Sequence, residues 1–199
     1  MGNLVITIGR TFGSGGREIG KMFAQEMGMS YYDKELLEEV AQYSGINYEY
    51  LAAMDEKKNS IFFTPFPPAI LDQASLSDNR IIQMQREVVN KLVDKGPCVF
   101  VGRRIDQLLR GRANTFNIFI SASLPYCVQR VSKRDCISEQ ESEKKIYQMN
   151  RSRRAYYNYT GDGNWGEASN YHLCLDSGVL GVDKAVKLLK TYIELNNQI

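Results

Sequence analysis

"ITIGRTFGSGGREIG", residues 6–20, decides how the rest of the chain is read. A short apolar run, Leu4 to Ile8, leads into Gly9, Gly13, Gly15 and Gly16, and a helical pattern opens near Arg17. Glycines crowded between a strand and a helix let the backbone bend sharply or lie close to a ligand. Backbone N–H groups exposed at a helix N-terminus suit a polyphosphate, and the helix dipole favours the anion. The other reading of the same residues is a tight turn with no ligand. A phosphate-binding loop ordinarily ends Gly-Lys-Ser/Thr; here the corresponding residues are Gly16, Arg17 and Glu18.

The chain has 199 residues, enough for one domain with a sizeable core. Its apolar share of 43% and charged share of 24% are those of an ordinary globular protein. A net charge of +2 argues for neither nucleic acid nor membrane. No apolar run reaches the roughly 18 residues of a membrane span, and the N-terminus opens on a strand-like run rather than a signal peptide. Cys98, Cys127, Cys136 and Cys174 lack metal-ligand spacing and read as free thiols, with Cys98 and Cys174 in strand patterns expected to be buried. The expectation is a cytoplasmic protein.

Strand and helix signals alternate along the chain. Ile19, Met22, Phe23 and Met27 repeat at helical spacing before Gly28, and Ser30 to Tyr32 make a short strand. A helix is expected from Lys34 to Tyr43, closed by Gly45. Residues 46–76, with "IFFTPFPPAILDQ", read as a structured insert over a pocket. Ser77 is placed to cap a helix reaching Val93, and "CVFVG" at 98–102 and "FNIFISAS" at 116–123 read as buried parallel strands. Ser123 with Pro125 starts another helix. Ser138 and Glu141 have capping-box spacing at the head of a charged helix ending near Tyr157. "YHLCLDS" is the last strand, and Val182 to Leu195 the last helix.

Such alternation predicts an α/β fold with a mainly parallel sheet and helices on both faces. Ligands in these folds sit beyond the carboxyl ends of the strands. The glycine loop, Asp33, Gly102-Arg103-Arg104 and Ser121 to Ser123 all fall at that edge.

The chain from residue 4 to 195 resembles the cytidylate kinase-like branch of the P-loop nucleoside monophosphate kinases. The likeness is carried by "ITIGRTFGSGGREIG", "YYDKELL", "GPCVFVGRR" and "RRAYYNYTGDGNWGEASNYHLCLDSGVLGVDKAV", in that order. It implies a P-loop kinase-type three-layer α/β/α domain. The core would comprise 1–45, 77–130 and 171–199, with an acceptor-binding insert at about 46–76 and a lid at about 131–166. It also implies ATP, Mg²⁺ and small nucleotide substrates.

Laid without gaps against the family loop, Gly16 stands at the lysine position, Arg17 at a glycine and Glu18 at the Mg²⁺-binding hydroxyl. A shift of one residue would put Arg17 at the lysine position, and its fork suits phosphate oxygens. Glu18 either repels the phosphates or complements the first helical turn. The phosphate-binding set is therefore Gly13, Ser14, Gly15, Gly16, Arg17 and Glu18, with no metal ligands assigned. By the same resemblance Asp33, Arg86 and Arg103 face the acceptor, and Val101 and Arg104 replace two family carboxylates. Phosphoryl transfer needs cations that arrive with the lid. Arg130, Arg134, Arg153 and Arg154 are the expected ones, beside Arg17. The aromatic cluster of Tyr156, Tyr157, Tyr159 and Trp165 suits either stacking on a base or nucleic acid strand or packing helix against core, the second being the expectation. His172 is expected to be a buried structural histidine.

Three functional readings result. The first is an ATP-dependent phosphotransferase acting on CMP, dCMP or a similar small acceptor. The others are a nucleotide-binding regulatory protein without transfer activity, and a kinase for a different small acceptor.

Overall fold

The computed structural model describes residues 3–33, 35–45, 47–48, 78–159 and 163–196. The chain begins with strand β1 (Val5–Arg10), the glycine loop and helix α1 (Gly16–Glu26), followed by β2 (Ser30–Tyr32) and α2 (Glu35–Ser44). Next come α3 (Asp78–Lys95), β3 (Cys98–Val101), the short α4 (Ile105–Leu108) and β4 (Thr115–Ser121). Helices α5 (Leu124–Asp135) and α6 (Glu139–Tyr159) precede a 3₁₀ turn (Ala168–Asn170), β5 (Leu173–Asp176), α7 (Ser177–Leu180) and α8 (Val182–Asn196). Ser77 lies outside the described residues, as does the 46–76 insert apart from Asn47 and Tyr48.

The five strands are all parallel, in the order β2-β3-β1-β4-β5. Register places Ile8 between Val101 and Ile118, so β1 is the central strand. Strand alternation then sorts the core into two layers. Cys98 and Phe100 of β3 pack with Leu36, Val40, Val89 and Leu92 of α2 and α3. Val99 and Val101 face the other way, with Ile6 and Ile8, onto Ile19 and Phe23 of α1 and Val186 and Leu189 of α8. This is the three-layer α/β/α architecture. A smaller cluster joins Cys127, Val128 and Val131 of α5 to Ile146 of α6, with Phe12 of the glycine loop packed on it.

Local signals act as expected at several ends. Gly28 and Gly45 take positive φ at the stops of α1 and α2. Glu141 N–H donates to the Ser138 hydroxyl oxygen at 3.2 Å while the Ser138 N–H donates to the Glu141 carboxylate at 3.0 Å, closing the capping box. All four cysteines are free.

Two expectations are overturned at the sheet edge. His172 is exposed rather than buried: its Nδ1 accepts from the Asn117 N–H at 2.8 Å, and its own N–H donates to the Asn117 carbonyl at 2.7 Å. Cys174 is exposed as well. The cause is shared, because β5 is an edge strand and only Leu175 of it is buried.

Candidate active site

The glycine loop leaves the carboxyl end of the central strand and enters α1. Gly13 and Gly15 have φ of 88° and 79°, a conformation that costs an L side chain strain. Gly13 is also pressed on α5, where a Cβ would stand 2.8 Å from that of Cys127. No side chain caps α1 at Gly15, so its first N–H groups keep their donors and partial positive charge. Ser14 is turned inward: its hydroxyl donates toward the carbonyls of Thr11 (2.9 Å) and Ile120 (3.1 Å). Ser177 donates to the Ser121 carbonyl at 3.0 Å and also to that of Ser14, tying the loop to β4. The loop is thus fixed by hydrogen bonds to β4 and from Ser177 as well as within itself.

Its charged residues point away from one another. Arg17, on the first turn of α1, reaches β2's end, with Nε 2.5 Å from Asp33 Oδ2. Glu18 turns to α5, where Arg130 Nη2 lies 2.6 Å from its Oε2. The Arg130 guanidinium stands over the loop, since a Cβ at Gly15 would meet its Nη2 at 3.2 Å.

Across the sheet edge, Gly102, Arg103 and Arg104 all have positive φ, 80°, 57° and 56°. Two consecutive non-glycine residues in the left-handed region store strain that the surroundings must offset. The turn aims both arginines at the site. Arg103 Nε donates to the Asp33 carbonyl at 3.2 Å, and buried Arg104 donates to Gln107 at 2.9 Å beneath the Tyr156 ring.

Arg10 was not anticipated. It is the last residue of β1, and its side chain is only 15% exposed. Its guanidinium lies 4.0 Å from Asp33 and against Gly102, where any Cβ would overlap Nη1. Arg153, from α6, joins it by donating to the Arg10 carbonyl at 3.0 Å. Burial pulls the Arg10 guanidinium down to about 10, against Asp33, which raises it; Arg17 and Arg103 lower it further. Burial first, then repulsion from Arg10 and Arg17, pulls Arg153 well below the usual arginine value. Both remain charged at neutral pH. The strain of such a cluster is relieved by an anion. Its signal in the sequence was an arginine at the carboxyl end of the first strand, where the strand pattern was read to stop at Ile8.

The arginines expected to arrive with a lid separate. Arg134 makes a forked pair with Asp135 at 2.6 and 3.0 Å and lies 5.0 Å from the Phe12 ring centre. Arg153 lies 5.4 Å from the same ring. Arg154 is exposed, 5.9 Å from the Trp165 ring centre. Asn150 of α6 accepts from the Phe12 N–H at 2.7 Å, so the helix is anchored directly to the loop. Arg86 is exposed on α3 and stands outside the cleft described next.

That cleft has Arg10, Arg103, Arg104 and Arg153 at its charged side and Tyr156 and Trp165 among its aromatic walls. Asp106 forms part of the floor and accepts a 2.6 Å hydrogen bond from Tyr157, which is buried. Burial pushes the Asp106 carboxyl up, and the Tyr157 hydrogen bond partly offsets it. Tyr157, Tyr156 and Trp165 all line the cleft; of these Tyr157 is buried, and Trp165 packs edge-on against buried Phe119 at 5.5 Å, as expected of a cluster joining helix to core. Among the described residues no group of three or more His, Cys, Asp or Glu is placed to hold a metal ion. Asp33 and Glu18 are each engaged by an arginine, so the described residues do not fit a resident divalent cation.

A profile of the cytidylate kinase-like family matches residues 5–179. The chain belongs to the cytidylate kinase-like family. A cytidylate kinase from Methanopyrus kandleri is 24% identical over 96% of this chain and 94% of its own length. An uncharacterized protein from Eubacterium ventriosum has the same fold at TM-score 0.73 and 26% identity, covering 96% of this chain and 98% of that one. A shikimate kinase from Bacteroides thetaiotaomicron superposes at TM-score 0.54 with 10% identity, over 96% and 98% of the two chains, a likeness of fold alone. Membership in this kinase-like family and the P-loop kinase fold agree with a phosphotransferase-like enzyme. Among the described residues no helix is long and apolar enough to cross a membrane.

Proposed function

We propose that this family member transfers the γ-phosphoryl group of ATP to a small phosphorylated acceptor, with CMP and dCMP the first to test. One observation carries the reading. An uncapped helix N-terminus behind a glycine loop opens beside an aromatic-walled cleft lined by four arginines, Arg104 buried and Arg10, Arg103 and Arg153 partly so.

The loop backbone from Gly13 to Gly16 receives the donor phosphates, with Ser14 holding its shape and Arg17, Glu18 and Arg130 at its mouth. Mg²⁺ enters as part of the MgATP substrate. The acceptor lies in the cleft, its phosphate toward Arg103 and the Asp33 turn, its ring between Tyr156 and Trp165. Arg86, on α3 outside the cleft, is a further contact for the acceptor phosphate. Residues 131–166 act as a lid: Arg134, Arg153 and Arg154 bring positive charge to the equatorial oxygens as phosphoryl moves. Catalysis then rests on positioning and electrostatics, with no covalent enzyme intermediate.

The Glu18–Arg130 pair favours a second reading, a nucleotide-binding regulatory protein without transfer. The carboxylate takes the place of the family's Mg²⁺-binding hydroxyl and holds the arginine that stands over Gly15. Thermal shift with a nucleotide panel, followed by acceptor-dependent ADP release, separates the two. Binding together with acceptor-dependent turnover supports the enzyme, and binding alone supports the regulator.

A further inference from the structure

We infer that Arg10 is this chain's phosphate-binding cation, held on the strand before the glycine loop and replacing a lysine that position 16 has no room to carry. The inference rests on the phosphotransferase reading and adds to it a residue outside the loop.

Position 16 is closed to any side chain. A Cβ built there would lie 2.7 Å from the Arg10 Cβ and 3.2 Å from its Cγ, with Ile120 behind at 3.4 Å. The stem of Arg10 therefore occupies the space into which a residue at position 16 would project. From that stem the guanidinium runs past Gly102, whose lack of a Cβ makes its passage possible. Both glycines are fitted to the arginine. The side chain connects the loop, at its stem, with the cleft, at its head.

The head has no close carboxylate of its own among the described residues. Asp33 stands at 4.0 Å, and the same carboxylate is held by Arg17 at 2.5 Å. Arg10, Arg17, Arg103 and Arg153 are thus gathered around Asp33, leaving positive charge in excess. Burying a guanidinium beside like charges is unfavourable unless an anion completes the site. A polyphosphate end, or a phosphoryl group passing from loop to cleft, has the charge and the acceptor oxygens to do so, and the planar fork matches them. Arg17, more than half exposed and closely paired, is less suited to the task.

Charge relocation tests this. Tripolyphosphate and ATP are titrated by calorimetry into wild type, Arg10→Met, Arg10→Gly, and the double variant Arg10→Gly/Gly16→Lys, with circular dichroism and melting curves for each. Arg10→Met should keep the fold and weaken tripolyphosphate by about 10- to 100-fold, as expected for one charge-assisted contact. The double variant should bind at least about 5-fold more tightly than Arg10→Gly, because removing the stem opens the space for a lysine. Wild-type affinity in Arg10→Met, or a double variant no better than Arg10→Gly, overturns the inference while leaving the phosphotransferase reading intact. A wild type that binds neither tripolyphosphate nor ATP overturns both.

Discussion

Arg130 reaches from α5 to the glycine loop and places Nη2 2.6 Å from the Glu18 carboxylate on α1. The pair joins the start of the proposed lid to the mouth of the proposed donor site. It is half-exposed, so its own contribution to stability is small. Its effect falls on binding. Glu18→Gln removes a negative charge from the mouth and releases Arg130 toward a ligand. ATP should then bind about 3- to 10-fold more tightly, the equivalent of roughly 1 kcal/mol. Calorimetry checks this. Weaker binding would show that the carboxylate helps to hold MgATP.

The central sheet predicts a sharp contrast in stability. Phe23 is fully buried between β1 and α8, whereas Leu188, on the outer face of α8, is 41% exposed. Phe23→Ala should cost about 3–5 kcal/mol through lost burial and the cavity left behind. Leu188→Ala should stay within about 1 kcal/mol. Urea unfolding of both variants measures the difference.

Asp106 gives a pH dependence whose sign is fixed. Its carboxyl is raised above the ordinary carboxylate value, first by burial. Between the unfolded and folded values the native state therefore holds the extra proton, and stability falls as pH rises through that window. Asp106→Asn removes the titration while its amide oxygen still accepts from Tyr157. The melting temperature of the variant relative to wild type should rise on going from pH 4 to pH 7. A constant difference would show that Asp106 does not titrate differently in the folded chain.

The two neighbouring arginines of the proposed lid should differ. Arg153 is enclosed, stacked on Phe12 and bonded to the Arg10 carbonyl, while Arg154 is exposed beside Trp165. Replacing Arg153 by lysine keeps the charge but loses the fork. Turnover should fall by about 10- to 1,000-fold, with ATP affinity changed much less, as for a contact strongest in the transition state. Arg154→Lys should cost less. Steady-state kinetics beside direct binding separates the two effects, and equal losses of rate and affinity would assign Arg153 to binding.

The fold was legible because its signals are local and repeated. Alternating Val99 and Phe100 fix the two faces of β3, Gly28 and Gly45 stop helices, and Ser138 with Glu141 caps α6. The site was legible as an edge: the glycine loop, Asp33 and Arg103 do converge there. What was missed depends on strand order and on contacts between distant residues. His172 and Cys174 looked buried because their apolar neighbours suit a central strand, and only the sheet order puts β5 at the edge. Arg10 looked like a loop residue, since nothing within a few positions reveals that its stem fills the space beside Gly16. Glu18 and Arg130 stand 112 positions apart in the chain, beyond any local pattern.

The most direct test of the phosphotransferase account follows the phosphoryl group itself. ATP labelled at the γ-phosphorus is incubated with the protein, Mg²⁺ and a panel of small phosphorylated acceptors, CMP and dCMP first. The account predicts that label moves onto an acceptor in step with ADP formation, and that neither occurs at a comparable rate when the acceptor is omitted. Tight ATP binding with no label on any acceptor would contradict it and leave a nucleotide-binding regulator in its place.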